Sequence, residues 1–193
     1  MIFVPAGKQH YPLIVKRVDK PIFHFSTLMK GAWEIFDYKP MQISAGNNSS
    51  SDQFKNSKYV VSDFYVPPEM SPEMIKKMEE WNHLILWVDD KLVPGAFQMN
   101  CCWFDRVPSQ QQFYEHRHAV SEIIGLFGSD PQNQQDMNAE VEFWMEDEKY
   151  IINKSCMIFV PAGVKHCPLY LKRVDKPIFH FTVVTSPLYT MLK

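Results

Sequence analysis

The chain has 193 residues and a mass of 22.7 kDa, enough for one domain with an appendage. Hydrophobic residues make up 46% and charged residues 22%, which excludes a disordered or fibrous chain. Twenty Lys and Arg against 22 Asp and Glu leave a net charge of −2, so nothing in the balance favours nucleic acid or an anionic membrane.

The first element, residues 1–27, recurs. It reads MIFVPAGKQHYPLIVKRVDKPIFHFST, and residues 157–183 read MIFVPAGVKHCPLYLKRVDKPIFHFTV. Twenty of the first 25 positions are identical at an offset of 156 residues. That period is far too long for a solenoid, whose repeats run about 20–50 residues. It predicts a duplicated domain: residues 1–27 as the end of a first copy, and residues 28–193 as a complete unit with an N-terminal extension. The first copy's alternating apolar residues (Ile2, Val4, Ile22, Phe23, Phe25) predict additional strands that need a partner sheet, since a lone hairpin is marginal in water. A homodimer would supply one.

Ser44 to Asp52 is a polar loop. Lys58–Val66, rich in β-branched and aromatic residues, predicts a strand. Ser71 and Pro72 open a helix near 72–82, with Met74, Ile75, Met78 and Trp81 at helical spacing. Strands are then predicted at 83–88, 96–104, 113–127, 139–145, 150–153, 156–160, 167–171 and 177–184. Short strands separated by turns mean an all-β sandwich or barrel. Its interior should include Ile123, Val141, Phe159 and Phe179 or their strand neighbours. Five carboxylates between Glu140 and Glu148 read as a solvated hairpin rather than a metal cluster.

No apolar run approaches the roughly 20 residues that span a bilayer. The N-terminus does not read as a signal peptide. Four cysteines without a CxxC pair (Cys101, Cys102, Cys156, Cys167) suit a reducing compartment, so a cytoplasmic location is expected.

The segment Phe113 to Glu122 carries chemistry. Read as one strand, it puts His116, His118 and Glu122 on the same face, with Tyr114 and Val120 beside them and Arg117 opposite. Two imidazoles and a carboxylate suit one divalent transition ion: Fe, Mn, Ni, Co or Zn. A surface strand with polar residues is the plain alternative. A second segment, Pro161-Ala162-Gly163-Val164-Lys165-His166, turns and returns, and can deliver another imidazole.

These two segments resemble the HxHxxxE and PxGxxH motifs of the cupin superfamily, standing here as His116/His118/Glu122 and Pro161/Gly163/His166. The resemblance covers about residues 112–183, and residues 1–27 repeat the second motif, as in a truncated bicupin. It implies a double-stranded β-helix, or jelly-roll barrel, in which those four residues hold the metal and leave positions open for water and a small-molecule substrate. Glycines that the family sets around the motifs are here Gln110, Ser129 and Ser155, and the Asn after the last His is Tyr170. By this reading Tyr114 and Val120 shape a substrate pocket, His180 makes a structural hydrogen bond, and Cys167 is core. His10 lacks companion ligands and should hold no second metal.

Three functions fit. One is a metal-dependent enzyme (dioxygenase, isomerase or lyase) acting on a small organic molecule, with its catalytic residues unassigned. The second is a binding or sensing module without catalysis. The third is a structural remnant of a bicupin.

Overall fold

The computed structural model describes residues 1–5, 8, 13, 15–26, 56–68, 70–110 and 113–186. After a 3-10 turn at Ser57–Tyr59 come α1 (Pro72–Met78), β1 (Asn82–Val88), β2 (Gln98–Phe104), β3 (Glu122–Gly128), β4 (Asp136–Met145), β5 (Glu148–Lys154), β6 (Cys156–Val160), β7 (His166–Val174) and β8 (Ile178–Val184). The strands form two antiparallel sheets, ordered β1-β2-β8-β3-β6 and β5-β4-β7. This is the expected all-β jelly-roll architecture with one short helix. The loop at 44–52, His10 and the C-terminal residues beyond 186 lie outside the described residues.

Local chemistry explains the elements. Ser71 Oγ accepts from the Met74 amide at 3.3 Å, and Pro72 occupies the first helical turn, where its missing N–H costs nothing. The helix is shorter than expected and buries little: Met74 is 51% exposed, and only Ile75 and Met78 are half-buried. In β4, Met137, Ala139, Val141 and Phe143 are buried while their neighbours are not, the period-two pattern of a strand with one face on the core.

One expected strand is absent and another is shorter than expected. Within 58–66, the 3-10 turn is followed by a single bridge, Val60 to Ile2. Within 113–127, regular pairing begins only at Glu122; before it, Phe113 and His116 make isolated bridges to β7 and the chain bends at 119–120. Among the described residues, 60–66 has one bridge and 113–121 touches β7 only at isolated positions, so neither stretch forms a continuous ladder despite its propensity.

The five-stranded sheet carries apolar clusters on both faces, with the outer face of β6 left exposed. Its inner face packs against the three-stranded sheet through Cys102, Phe104, Ile124, Leu126, Val160 and Ile178. Its outer face carries Met99, Cys101, Phe179, Phe181 and Val183. Of the expected interior residues, Val141 is in the intersheet core, while Ile124, Val160 and Ile178 stand in for Ile123, Phe159 and Phe179. The inward parity is set by Glu122, opposite Val160 and Val184. Gly125 faces outward, where an added Cβ would lie 2.2 Å from the Phe181 ring.

Met1, Phe3, Phe23 and Phe25 of the N-terminal segment lie against that outer face. The terminal amine donates to the Val61 carbonyl at 2.6 Å, the Phe3 amide to Tyr59, and the Val61 amide to the Met1 carbonyl. Phe25 stacks on Phe181 with centroids 4.1 Å apart, and Phe23 lies 4.7 Å from Phe179. The described part of this segment makes one bridge, Ile2 to Val60, rather than a ladder.

Candidate metal centre

His116 and His118 lie on the irregular chain just before β3, Glu122 is the first residue of β3, and His166 is the first of β7. Main-chain hydrogen bonds clasp the two segments. The His116 amide donates to the His166 carbonyl at 3.0 Å, and the His166 amide returns the bond at 2.9 Å. Gly163, at φ +80°, turns the chain after β6 so that its amide donates to the His118 carbonyl at 2.8 Å. The two motifs are therefore held together by backbone, independently of their side chains.

Each of the four side chains offers a ligand atom, and these atoms all lie within 4.8 Å of one another. His118, Glu122 and His166 are no more than 3% exposed, while His116 is half-buried and forms the edge of the site toward solvent. The expected ligands are thus brought together, though by a bent chain and not by the parity of one continuous strand.

Hydrogen bonds orient two of the rings. His116 Nδ1 lies 2.7 Å from the Tyr114 carbonyl, and His166 Nδ1 lies 3.0 Å from the Val164 carbonyl. A carbonyl only accepts, so Nδ1 carries the proton and, in the neutral ring, Nε2 presents a lone pair. Each carbonyl stands two residues before its histidine. This is the outer-shell arrangement that fixes tautomer and ring direction in metal-binding histidines.

That arrangement makes one contact informative. His166 Nε2 lies 2.8 Å from Glu122 Oε2, and His118 Nε2 lies 3.4 Å from the same oxygen. A lone pair against a carboxylate oxygen at that distance is repulsive unless a cation, either a proton or a metal ion, sits between them. Burial pushes the Glu122 carboxyl upward, but with the proton as that cation, hydrogen bonds and charge from protonated His118 and His166 outweigh it and hold the group at about 2. Burial lowers His116, with a counteracting hydrogen bond to Tyr114, so this imidazole stays neutral into mild acid. Three imidazole nitrogens and one carboxylate oxygen form a donor set for a borderline divalent ion, and the ion's charge would offset that of the buried carboxylate. The residues present fit a metal.

Other expected features fall as follows. Tyr114, expected to face inward, is 71% exposed, and its contribution to the site is its carbonyl. Val120 is half-buried at the bend before β3, and Arg117 is exposed. His180 Nδ1 lies 3.0 Å from the Gly125 carbonyl and its ring stacks on Phe104, the structural role expected. Cys167 is in the intersheet core, with its thiol pushed up by burial to about 12. The acidic stretch forms the β4–β5 hairpin, where Glu146 Oε1 accepts from the Lys165 amide at 3.0 Å. Two surface grooves lie away from the four histidine and glutamate ligands, one between α1 and β1 and one beside residues 58–65. The orienting carbonyls were missed by sequence reasoning because backbone groups leave no residue-type signature.

No family model matches the chain, nor does any curated protein. Among solved structures, the chain is similar to an oxalate oxidase in complex with glycolate (13% identity, 80% of this chain and 67% of that one, TM-score 0.42). It is also similar to the DMSP lyase DddQ from Ruegeria pomeroyi DSS-3 (14%, 69% and 61%, 0.40) and to KdgF from Halomonas sp. (15%, 67% and 96%, 0.34). The chain spans less than two thirds of the length of the DMSP lyases it matches, 61% of DddQ and 40% of another.

Proposed function

We propose that this chain is a cupin that holds one divalent transition ion through His116, His118, Glu122 and His166, and acts as a metal-dependent enzyme on a small organic molecule inside the barrel. The observation that carries the reading is the convergence of three imidazoles and one carboxylate, whose ligand atoms all lie within 4.8 Å of one another. A metal bound there would supply a Lewis acid with positions left for substrate or water. The chain's own contribution is to fix the imidazole tautomers through the Tyr114 and Val164 carbonyls, to supply a buried carboxylate, and to leave the His116 side as the route from solvent.

The same site without turnover would make a ligand-binding module. A group of four side chains that could hold a metal favours binding over a remnant that has lost it. Residues 1–27 are assigned as the end of a first copy, and a cytoplasmic homodimer that binds no nucleic acid completes the proposal. No helix among the described residues is long and apolar enough to cross a membrane.

Metal analysis of the purified chain tests the centre. About one transition ion per chain is expected, with His118→Ala losing most of it while keeping the β-rich circular dichroism spectrum. Affinity should fall as pH drops below roughly 6.5, because only neutral imidazole ligates. Metal content unchanged in His118→Ala would remove the assignment.

A further inference from the structure

Gln98 is the first residue of β2, fully buried, and neither its Oε1 nor its Nε2 has a hydrogen-bond partner. A carboxamide buried in that state costs more than an apolar side chain of the same size, so its place needs an explanation.

Register shows where it points. On β2, Met99 and Cys101 belong to the outer face while Cys102 and Phe104 face the intersheet core, so Gln98 and Asn100 share the inner face. On β8 the inner residues are Ile178, His180, Thr182 and Val184 by the same alternation. Gln98 pairs with Val184, and Val184 pairs on its other side with Glu122. The carboxamide and the site's carboxylate therefore stand in one row of the inner face, two strands apart. At about 4.8 Å per strand, their backbones are about 10 Å from each other. In the next row, Asn100 Nδ2 donates to Thr182 Oγ1 at 2.9 Å.

We propose that Gln98, supported by the Asn100–Thr182 pair, is a positioning residue of the proposed site that binds the far end of the metal-bound ligand. The chemistry specifies that end. A carboxamide offers one donor and one acceptor without charge, so it fits a group that both donates and accepts, such as a hydroxyl or a primary amide. No Lys or Arg is buried among the described residues, so a second carboxylate would meet no countercharge there. The ligand class is a small oxyacid whose one end chelates the metal and whose other end, three or four bonds away, carries a neutral hydrogen-bonding group. This inference rests on the metal reading above.

The test uses the full chain loaded with Co2+, whose visible spectrum reports ligand binding. Two probes share a 2-hydroxy acid and differ only at the far end: 2,4-dihydroxybutyrate has a hydroxyl where 2-hydroxypentanoate has a methyl. The wild-type chain is expected to bind the first roughly fivefold to tenfold more tightly, as one hydrogen-bonded group in a buried site gives. Malate, with a terminal carboxylate, should bind more weakly than 2,4-dihydroxybutyrate. In Gln98→Leu the preference should fall to about one, with Co2+ uptake unchanged and the melting temperature equal or higher. Gln98→Met, unbranched and of similar length, gives the same readout should the leucine disturb the sheet. Equal binding of the two probes by wild type, no spectral response to either, or a preference that survives both substitutions would overturn the proposal. Co2+ uptake that is absent, or unaffected by His118→Ala, would overturn the metal reading itself and this inference with it.

Discussion

Residues 1–25 and 157–181 are nearly the same sequence in two different structural situations. The later copy supplies β6, β7 and β8, with His166 in the candidate metal site, His180 on the inner face of the sheet and Phe181 buried on its outer face. The earlier copy lies on the outer face, and its aromatic residues pack on their own counterparts: Phe25 on Phe181 and Phe23 beside Phe179. His24 is exposed where His180 is 5% exposed. Identical residues thus become strand or cover according to which neighbouring strands complete their hydrogen bonds. The pattern Met-Ile-Phe-Val carries the capacity for β structure, and the fold decides whether it is used.

The largest expected effect separates the two histidines that follow the repeated Pro-Ala-Gly. His166→Ala should weaken metal binding at least about 100-fold, since even loss of an outer-shell partner costs 10- to 100-fold. His10→Ala should leave stoichiometry at one ion per chain. Two ions per chain in dialysed protein, with the second lost in His10→Ala, would make the copies functionally alike and break the comparison.

The stacked phenylalanines come next. Phe181 is fully buried, so Phe181→Ala should cost about 3–5 kcal/mol. Phe25 is half-buried on the same stack, and Phe25→Ala should cost about 1 kcal/mol, mostly its aromatic contact. Urea denaturation of both variants measures the ratio. Equal losses would mean that the N-terminal segment is as integral to the core as β8.

The buried histidine of the later copy, His180, gives a pH test. Burial holds His180 at about 4, against a backbone hydrogen bond that favours its charged form. The unfolded chain, with an ordinary value near 6.5, takes up a proton that the folded chain refuses. Stability from this group is therefore complete above about pH 6.5 and is lost as pH falls toward 4, by on the order of 3 kcal/mol. The difference in unfolding free energy between pH 7 and pH 4.5 should shrink in His180→Gln. An unchanged slope in His180→Gln would mean that this ring is solvated.

Much of the site was legible in the sequence because ligand chemistry constrains residue type as well as spacing. His116, His118, Glu122 and His166 could be named from their types and the turn before His166. The reason given for the first three was incomplete: a bent chain, not one strand, brings them together, and a bend at 119–120 leaves no sharper mark than Ala-Val-Ser. The all-β class followed from short apolar runs between turns. Face parity did not follow for Ile123, Phe159 and Phe179, because apolar residues occupy both parities of this sheet, including an exposed outer face on β6. Gln98 was invisible for the opposite reason. A single carboxamide in an apolar run has no motif, and only the register with Val184 and Glu122 gives it meaning.

The smallest effect inverts the usual order of the copies. Phe3 and Phe159 are equivalent positions, yet here the earlier residue is the better packed. Phe3 is half-buried, with ring contacts to Tyr59 and Phe97 at 6.5 and 6.0 Å, whereas Phe159 is 61% exposed on the edge strand β6. Phe3→Ala should cost about 1 kcal/mol, and Phe159→Ala should stay within about 0.5 kcal/mol, as exposed substitutions do. Thermal melts at several protein concentrations measure both. In an isolated chain Phe159→Ala leaves the melting temperature unchanged. In the proposed homodimer, a partner covering β6 makes the wild-type melting temperature rise with concentration, and Phe159→Ala abolishes that rise. A concentration-independent melt together with a Phe159→Ala loss larger than that of Phe3→Ala would mean that the outer face of β6 is covered within the chain itself. The contrast between the two copies would then hold for their histidines and fail for their phenylalanines.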